Sequence, residues 1–281
     1  MKKYFAKIIL LALPIILIIL ISQFYEKGRN QTIFNEMLKN KDVIFVGSSR
    51  IKNSINPNLF NNSEKVMNFG ISGSTFFHNM IVTEYLITEY KPKFIYIELS
   101  PIHYTRHTMI QNLKIPISRF MKNKMKFGIQ IKSLDNILFS KMNLKNLFKK
   151  IFNLKVPSLV GFQPTYESNY SKKDSFLEPE DFHKNYGIET KDHEELINYI
   201  SKIAQQNNTT IKYILPITFF RDDELKIDMS VYNILPEKSK VIYSKCFIDK
   251  ISNTNYLYDK NHLNIFGSKV MTNYINQNLT K

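Results

Sequence analysis

A single cysteine, Cys246, stands in a chain of 281 residues, so no internal disulfide and no cysteine-held metal cluster can form. The compartment stays open, because a fold in an oxidising space only has to stand without covalent staples. Tryptophan is absent, which excludes nothing. There is no Walker-type phosphate loop and no dinucleotide fingerprint, no internal repeat and no low-complexity domain linker. His103 and His107 would share a helix face, but no acidic partner pattern accompanies them, so a zinc site is not expected. No cofactor and no metal are expected. Acidic residues are few, 24 against 39 Lys and Arg, for a net charge of +15. Such a balance can suit nucleic acid, an anionic membrane or an acidic polymer. Here the lysines are scattered among abundant Asn and Ile, as mutational bias in a genome would also produce. The charge therefore carries little weight, and nucleic acid is not an expected partner.

A hydrophobic content of 43% is that of a folded protein, and the length allows one sizeable core with an insertion. The start, Met1 to Lys7, is basic. From Ile8 to Tyr25 no residue is charged, close to the lower limit of ~17–25 residues for a membrane span. A cleaved signal peptide is the rival reading, but Ser22 to Glu26 offers no well-fitting cleavage site. An uncleaved anchor over 1–26 is expected, with Lys2, Lys3 and Lys7 cytoplasmic and residues 27–281 outside.

Beyond the anchor, Gln31 to Lys39 reads as a short helix, with Phe34, Met37 and Leu38 on one face. Val43 to Val46 is four apolar residues in a row, a short buried strand running into Gly47-Ser48-Ser49-Arg50. Ile51 to Asn62 reads as a loop or short helical turn. Val66 to Phe69 is a second strand, ending in Gly70-Ile71-Ser72-Gly73. Phe77 to Tyr90 is a helix, and Phe94 to Leu99 a third strand closed by Ser100-Pro101. Residues 103–185 break this rhythm and read as an insertion able to cover or shape a site. Within it, Leu144 to Phe152 has a basic amphipathic pattern that suits either a membrane surface or packing on its own domain. Asp192 to Asn207 is a helix with a capping-box pattern at Asp192 and Glu195. Ile211 to Leu215 is a fourth strand, Val241 to Tyr243 a further short one, and Gly267 to Leu279 the last helix. Strand–helix–strand units of this kind predict a parallel sheet with right-handed crossovers.

Chemistry enters at two places. A serine at the end of a parallel strand lies where open α/β sheets bind ligands. Its hydroxyl needs a base, histidine is the natural one near neutral pH, and a carboxylate fixes the imidazole's tautomer. Asp259 and His262 lie in a loop before the last helix, and that loop falls on the strand-end side of a doubly wound sheet. Ser49, Asp259 and His262 are thus the candidate catalytic set. Arg50 is a candidate for anion binding or a surface salt bridge, His78 for lining the cleft with His103 and His107, and Ser100 for an extra donor. His183 and His193 read as surface residues and Cys246 as a buried small apolar one.

Together these motifs resemble the SGNH (GDSL-like) hydrolases and acyltransferases. Gly47-Ser48-Ser49 matches the first block, with Ser48 where the family has Asp. Asn68-Phe69-Gly70-Ile71-Ser72-Gly73 matches the second, and Asp259-x-x-His262 with Leu263-Asn264-x-x-Gly267 the last. The third, Gly-x-Asn-Asp, has no counterpart; its place holds Glu98-Leu99-Ser100-Pro101. The resemblance covers residues 42–101 and 190–281. It implies an α/β/α sandwich with a central parallel sheet, flavodoxin-like, behind an N-terminal transmembrane helix. It also implies Ser49 as nucleophile, His262 and Asp259 as its base and orienter, and an oxyanion hole from Ser49 and Gly73. Membrane-anchored relatives in bacterial envelopes include the DltD-like proteins of teichoic acid D-alanylation and proteins linked to polysaccharide O-acetylation. The implied function is therefore acyl transfer or ester hydrolysis on a cell-envelope polysaccharide or teichoic acid, with a membrane-bound O-acyltransferase as a possible partner. The missing third block supports the alternative of a non-catalytic envelope component that retains the fold.

Overall fold

Val43–Gly47 (β1) is apolar throughout because it lies inside a sheet covered on both faces; Ile44, Phe45 and Val46 are fully buried. In the computed structural model, which describes residues 35–102, 118–124, 161–166, 177–178, 180–181, 184, 186–219 and 222–278, β1 pairs in parallel with Val66–Gly70 (β2) and Phe94–Glu98 (β3). Thr210–Ile214 (β4) extends the sheet beyond β3, giving an all-parallel order β2-β1-β3-β4. The chain is thus an α/β protein. Two compact units are distinguished. Met1–Lys39 with Asn112–Lys114 is one, in which residues 35–38 form a helical turn. Asn40–Gln111 with Ile115–Lys281 is the other, and it contains the whole sheet.

The two sheet faces are told apart by their contacts. Asn68 donates from Nδ2 to the carbonyls of Ile51 (2.8 Å) and Ile55 (2.6 Å), which places Ser49–Ser54 (α1) over the face carrying Phe45, Gly47, Asn68 and Gly70. The last helix, Ile265–Asn278 (α7), packs beside α1. On the opposite face Phe76, at the start of Phe76–Tyr90 (α2), meets the ring of Tyr213 from β4. There Lys191–Gln206 (α4) packs on α2. The chain leaves β1 toward β2 under one helix layer and returns to β3 under the other. The strand order therefore reverses between β1 and β3, and the crevice at their C-terminal ends is the usual ligand site of such sheets.

Several expectations need correction. Ile51 to Asn62 takes the short-helical form of its two readings, as the end of Ser49–Ser54 and the single turn Pro57–Leu59; only the helix's start at Ser49, before Ile51, was not expected. Val241 to Tyr243 forms no strand. Lys240 makes one isolated parallel bridge to Tyr213, and the Val241 N–H donates to the Tyr213 carbonyl at 2.9 Å. Asp222–Ile234 (α5) and Lys245–Ile251 (α6) were not foreseen. The inward face of α5 includes Glu224 and Asp228, which breaks its apolar stripe, and α6 is only seven residues long. Helix α4 starts from Thr190, whose hydroxyl bonds Glu194; Asp192 already lies in the first turn, so the pair with Glu195 is no capping box. His193 is buried against Phe76 rather than at the surface, and Cys246 is exposed rather than buried.

Of residues 103–185 the described part is small. Arg119–Lys124 (α3) stacks Phe120 on Tyr199 of α4, with ring centroids 3.9 Å apart. The apolar run Ile8 to Tyr25, the pattern Leu144 to Phe152, and His103, His107 and His183 lie outside the described residues. Among the described residues no helix is long and apolar enough to cross a membrane, and no cluster of metal-ligating side chains occurs.

Candidate active site

At the end of β1 the chain turns directly into α1. Ser48 is the N-cap, with φ −84° and ψ −162°, and its Oγ accepts from the Arg50 N–H at 3.2 Å. An N-cap serine satisfies one of the amides that a helix start leaves without a partner. Ser49 is therefore the first residue of the helix and only partly buried at the sheet's edge.

The second part of the site comes from the far end of the chain. Residues 256–264 fold back on themselves. Leu257 bridges Leu263 antiparallel, the Tyr258 N–H donates to the His262 carbonyl (2.8 Å), and the Asn264 N–H donates to the Tyr256 carbonyl (2.8 Å). Asn264 clamps this loop to α7. Its Oδ1 accepts from the N–H groups of Phe266 and Gly267, both at 3.0 Å, and its Nδ2 donates to the carbonyls of Asn255 (2.7 Å) and Leu257 (3.2 Å).

This loop presents His262 to the nucleophile candidate. His262 Nε2 lies 2.7 Å from Ser49 Oγ, and Nδ1 lies 2.8 Å and 2.9 Å from the two oxygens of Asp259. The Asn261 N–H also donates to Asp259 Oδ1 at 2.8 Å. Partial burial pushes the Asp259 carboxyl up, but the hydrogen bonds from His262 and the Asn261 amide outweigh it and hold the group below the usual carboxylate range. With Asp259 ionised, Nδ1 carries the proton and Nε2 is free to accept one from Ser49. The His262 side chain is 22% exposed and that of Asp259 46%, so the set opens to solvent.

The other expected residues fall differently. Gly73 is exposed in the β2–α2 turn with φ +76°, a conformation that favours glycine, and a Cβ there would meet nothing within 4 Å. Ser100 is fully buried, with no hydrogen-bond partner on its hydroxyl among the described residues, and is not an exposed donor. His78 is buried in the first turn of α2, its Nδ1 2.8 Å from Thr75 Oγ1.

Arg50 is neither an anion-binding group nor a surface ion pair. It is 5% exposed, and its Nε lies 2.5 Å from Glu98 Oε1 and its Nη1 2.9 Å from Glu224 Oε1. Nη1 also donates to the Thr218 carbonyl at 3.2 Å. Thr218 Oγ1 in turn donates to the carbonyl of Asn261, between Asp259 and His262, at 3.0 Å. Beside this group sits the fully buried Asp228, whose carboxyl has no hydrogen-bond partner among the described residues. Burial raises its pKa well above the ordinary value; Glu224 and Glu98 push the same way and Arg50 opposes them. Sequence reasoning missed Glu98, Thr218, Glu224 and Asp228. The available signal was Glu98 itself, a charge closing an otherwise apolar strand, since buried charge demands a partner. No family model, curated protein or solved structure matches the chain.

Proposed function

We propose that this chain is a serine-dependent acyl-transfer enzyme of the SGNH type. Its sheet would be the core of a flavodoxin-like α/β/α sandwich, held by residues 1–26 at the membrane with the remainder outside the cytoplasm. Its substrate is an acetyl or similar ester on a cell-envelope polysaccharide or teichoic acid. One observation carries this reading: the hydrogen-bonded line from Ser49 Oγ through His262 to Asp259, at 2.7 Å and 2.8 Å.

In the proposed cycle Ser49 Oγ attacks the acyl carbonyl while His262 Nε2 takes its proton. Asp259 steadies the imidazolium, and the N–H groups of Ser49 and Gly73 receive the oxyanion. Collapse expels the first alcohol, which takes the proton from His262 and leaves an acyl-Ser49 ester. A sugar hydroxyl, or water, then attacks that ester with His262 again as base. A membrane-bound O-acyltransferase is the proposed partner that supplies the acyl group.

The end of β3 favours a second reading, a non-catalytic envelope component. Where the family pattern has an oxyanion asparagine, Glu98 faces Arg50 and Ser48, and Ser100 is buried. One such donor is worth ~3–4 kcal/mol of barrier. A fluorophosphonate probe on the protein from about residue 27 onward, followed by intact mass and peptide mapping, separates the two. A single adduct on Ser49 that disappears in His262→Ala supports the enzyme; a folded protein that takes no adduct supports the accessory reading.

A further inference from the structure

The strongest unexplained feature beside the triad is the carboxyl group of Glu98. It is 1% exposed at the end of β3, and both of its oxygens are spent on the turn that carries Ser49. Oε2 accepts from the Ser48 backbone N–H at 2.6 Å, and Oε1 accepts from the Ser48 hydroxyl at 2.9 Å and from Arg50 Nε at 2.5 Å. One carboxylate thus holds the residue before Ser49 by two atoms and the residue after it by a third. The glycine of the turn fits the same arrangement. A Cβ on Gly47 would run into Ile51 Cγ1 and Glu98 Oε2 and lie 2.8 Å from Glu98 Cβ, so Ile51 and Glu98 together fill the space that a side chain at 47 would need. The hold continues to the other half of the site, from Arg50 Nη1 to the Thr218 carbonyl and from Thr218 Oγ1 to the carbonyl of Asn261.

We propose that Glu98 is a positioning residue for the nucleophile: through Ser48 and Arg50 it fixes the turn so that Ser49 Oγ stays within hydrogen-bonding distance of His262. This rests on the serine-enzyme reading. Charge-assisted hydrogen bonds in a dry site are the strong ones, and they cost no rearrangement during reaction. Displacements on the order of 1 Å in such a constellation cost about 10²-fold in rate. Glu98 bonds Ser48 and Arg50 and neither Ser49 Oγ nor His262, so its effect falls on the rate of the chemical step and not on probe affinity.

The test compares wild type, Glu98→Gln, Ser48→Ala and the double variant by fluorophosphonate labelling of Ser49. Labelling is resolved into a maximal rate and a half-saturating probe concentration, at a temperature where circular dichroism finds each variant folded. Arg50 retains Glu224 in Glu98→Gln, so the variant keeps one buried ion pair. The expected result is a maximal rate down at least tenfold, an unchanged half-saturating concentration, and a double variant no slower than Glu98→Gln alone. Wild-type rates in Glu98→Gln, or losses that multiply in the double variant, overturn the inference. If Glu98→Gln does not fold, Ser48→Ala decides, and labelling at the wild-type rate overturns it. If the wild type takes no probe, the enzyme reading has failed separately. Glu98 is then judged by amide exchange at Ser48, Ser49 and Asn261. Faster exchange there in Glu98→Gln, with β1 to β4 unchanged, upholds the positioning role, and unchanged exchange overturns it.

Discussion

Ser49 Oγ and His262 Nε2 lie 2.7 Å apart across a sequence separation of 213 residues. Neither local sequence nor one shared element creates that contact. It arises because a strand–turn–helix puts Ser49 at the sheet edge while Asn264 anchors the returning loop on α7. Replacing Ser49 or His262 by Ala is expected to remove fluorophosphonate labelling at Ser49 and to lower turnover by about 10⁴–10⁶-fold. Circular dichroism should stay unchanged, since both side chains sit at the rim. Retained turnover in either variant rejects the mechanism.

Asp259 should matter through the tautomer of His262. Asp259→Asn keeps the shape but no longer fixes the proton on Nδ1, and a loss on the order of 10⁴-fold in kcat is expected. The pH dependence has a definite sign. Asp259 is held below its ordinary value, so the ionised form stabilises the fold fully above the unfolded carboxylate range of about 3.9. That contribution is lost as pH falls through the lowered native value. The Tm difference between wild type and Asp259→Asn should therefore shrink from pH 6 toward the acid end; a constant difference contradicts the assignment.

Asp228 predicts the reverse slope. Its buried carboxyl ionises well above the ordinary range, so the native state keeps a proton that the unfolded chain releases. Between those two values stability falls as pH rises. Asp228→Asn removes this penalty, and its Tm relative to wild type should climb as pH rises above the unfolded carboxylate range of about 3.9. A flat difference would mean that Asp228 titrates alike in both states.

Two substitutions test the scaffold. At Gly70 a Cβ would lie 2.4 Å from the Lys52 backbone nitrogen and 2.6 Å from its Cα, and neither atom can move without shifting α1. Gly70→Ala should cost at least the ~1–3 kcal/mol typical of overpacking, read as a lower urea midpoint. At Gly73 the space is open and only the backbone preference is lost, so Gly73→Ala should cost about 1 kcal/mol. Equal losses at the two positions would contradict the packing described.

Asn264→Ala removes the cap of α7 and the clamp on the loop of Asp259 and His262 at once. A loss of about 1–3 kcal/mol in stability is expected. Labelling of Ser49 should slow as well, measured below the lowered Tm. A stability loss with unchanged labelling would show that the loop holds its geometry without the clamp.

The parallel sheet was legible because β1 to β3 are short, largely apolar runs bounded by turns, and β4 ends at Ile214, two residues before Pro216. The candidate residues Ser49, Asp259 and His262 stood out because strand-Gly-x-Ser and a late Asp-x-x-His are local patterns, and the structure brings the three side chains together. The buried charge network was not. Arg50 reads as surface in any local window, and Glu98, Thr218 and Glu224, which hold it among the described residues, lie far apart in the sequence. Helix α5 was lost for the same reason, since Glu224 and Asp228 occupy positions where periodicity looks for apolar side chains.

Residues 161–166 bear on the long middle segment that sequence periodicity set apart as an insertion. The Gln163 N–H donates to the Lys52 carbonyl in α1 at 3.0 Å, and the Thr165 hydroxyl donates to the Leu263 carbonyl at 2.8 Å. The Thr165 carbonyl accepts from the Ile265 N–H at 2.8 Å. This short strap ties α1, which carries Ser49, to the loop of His262. Residues 161–166 are therefore not a detachable ornament. Excising 103–185 to obtain a minimal domain would cut the tie that spans both halves of the site, and trimming should stop short of residue 161.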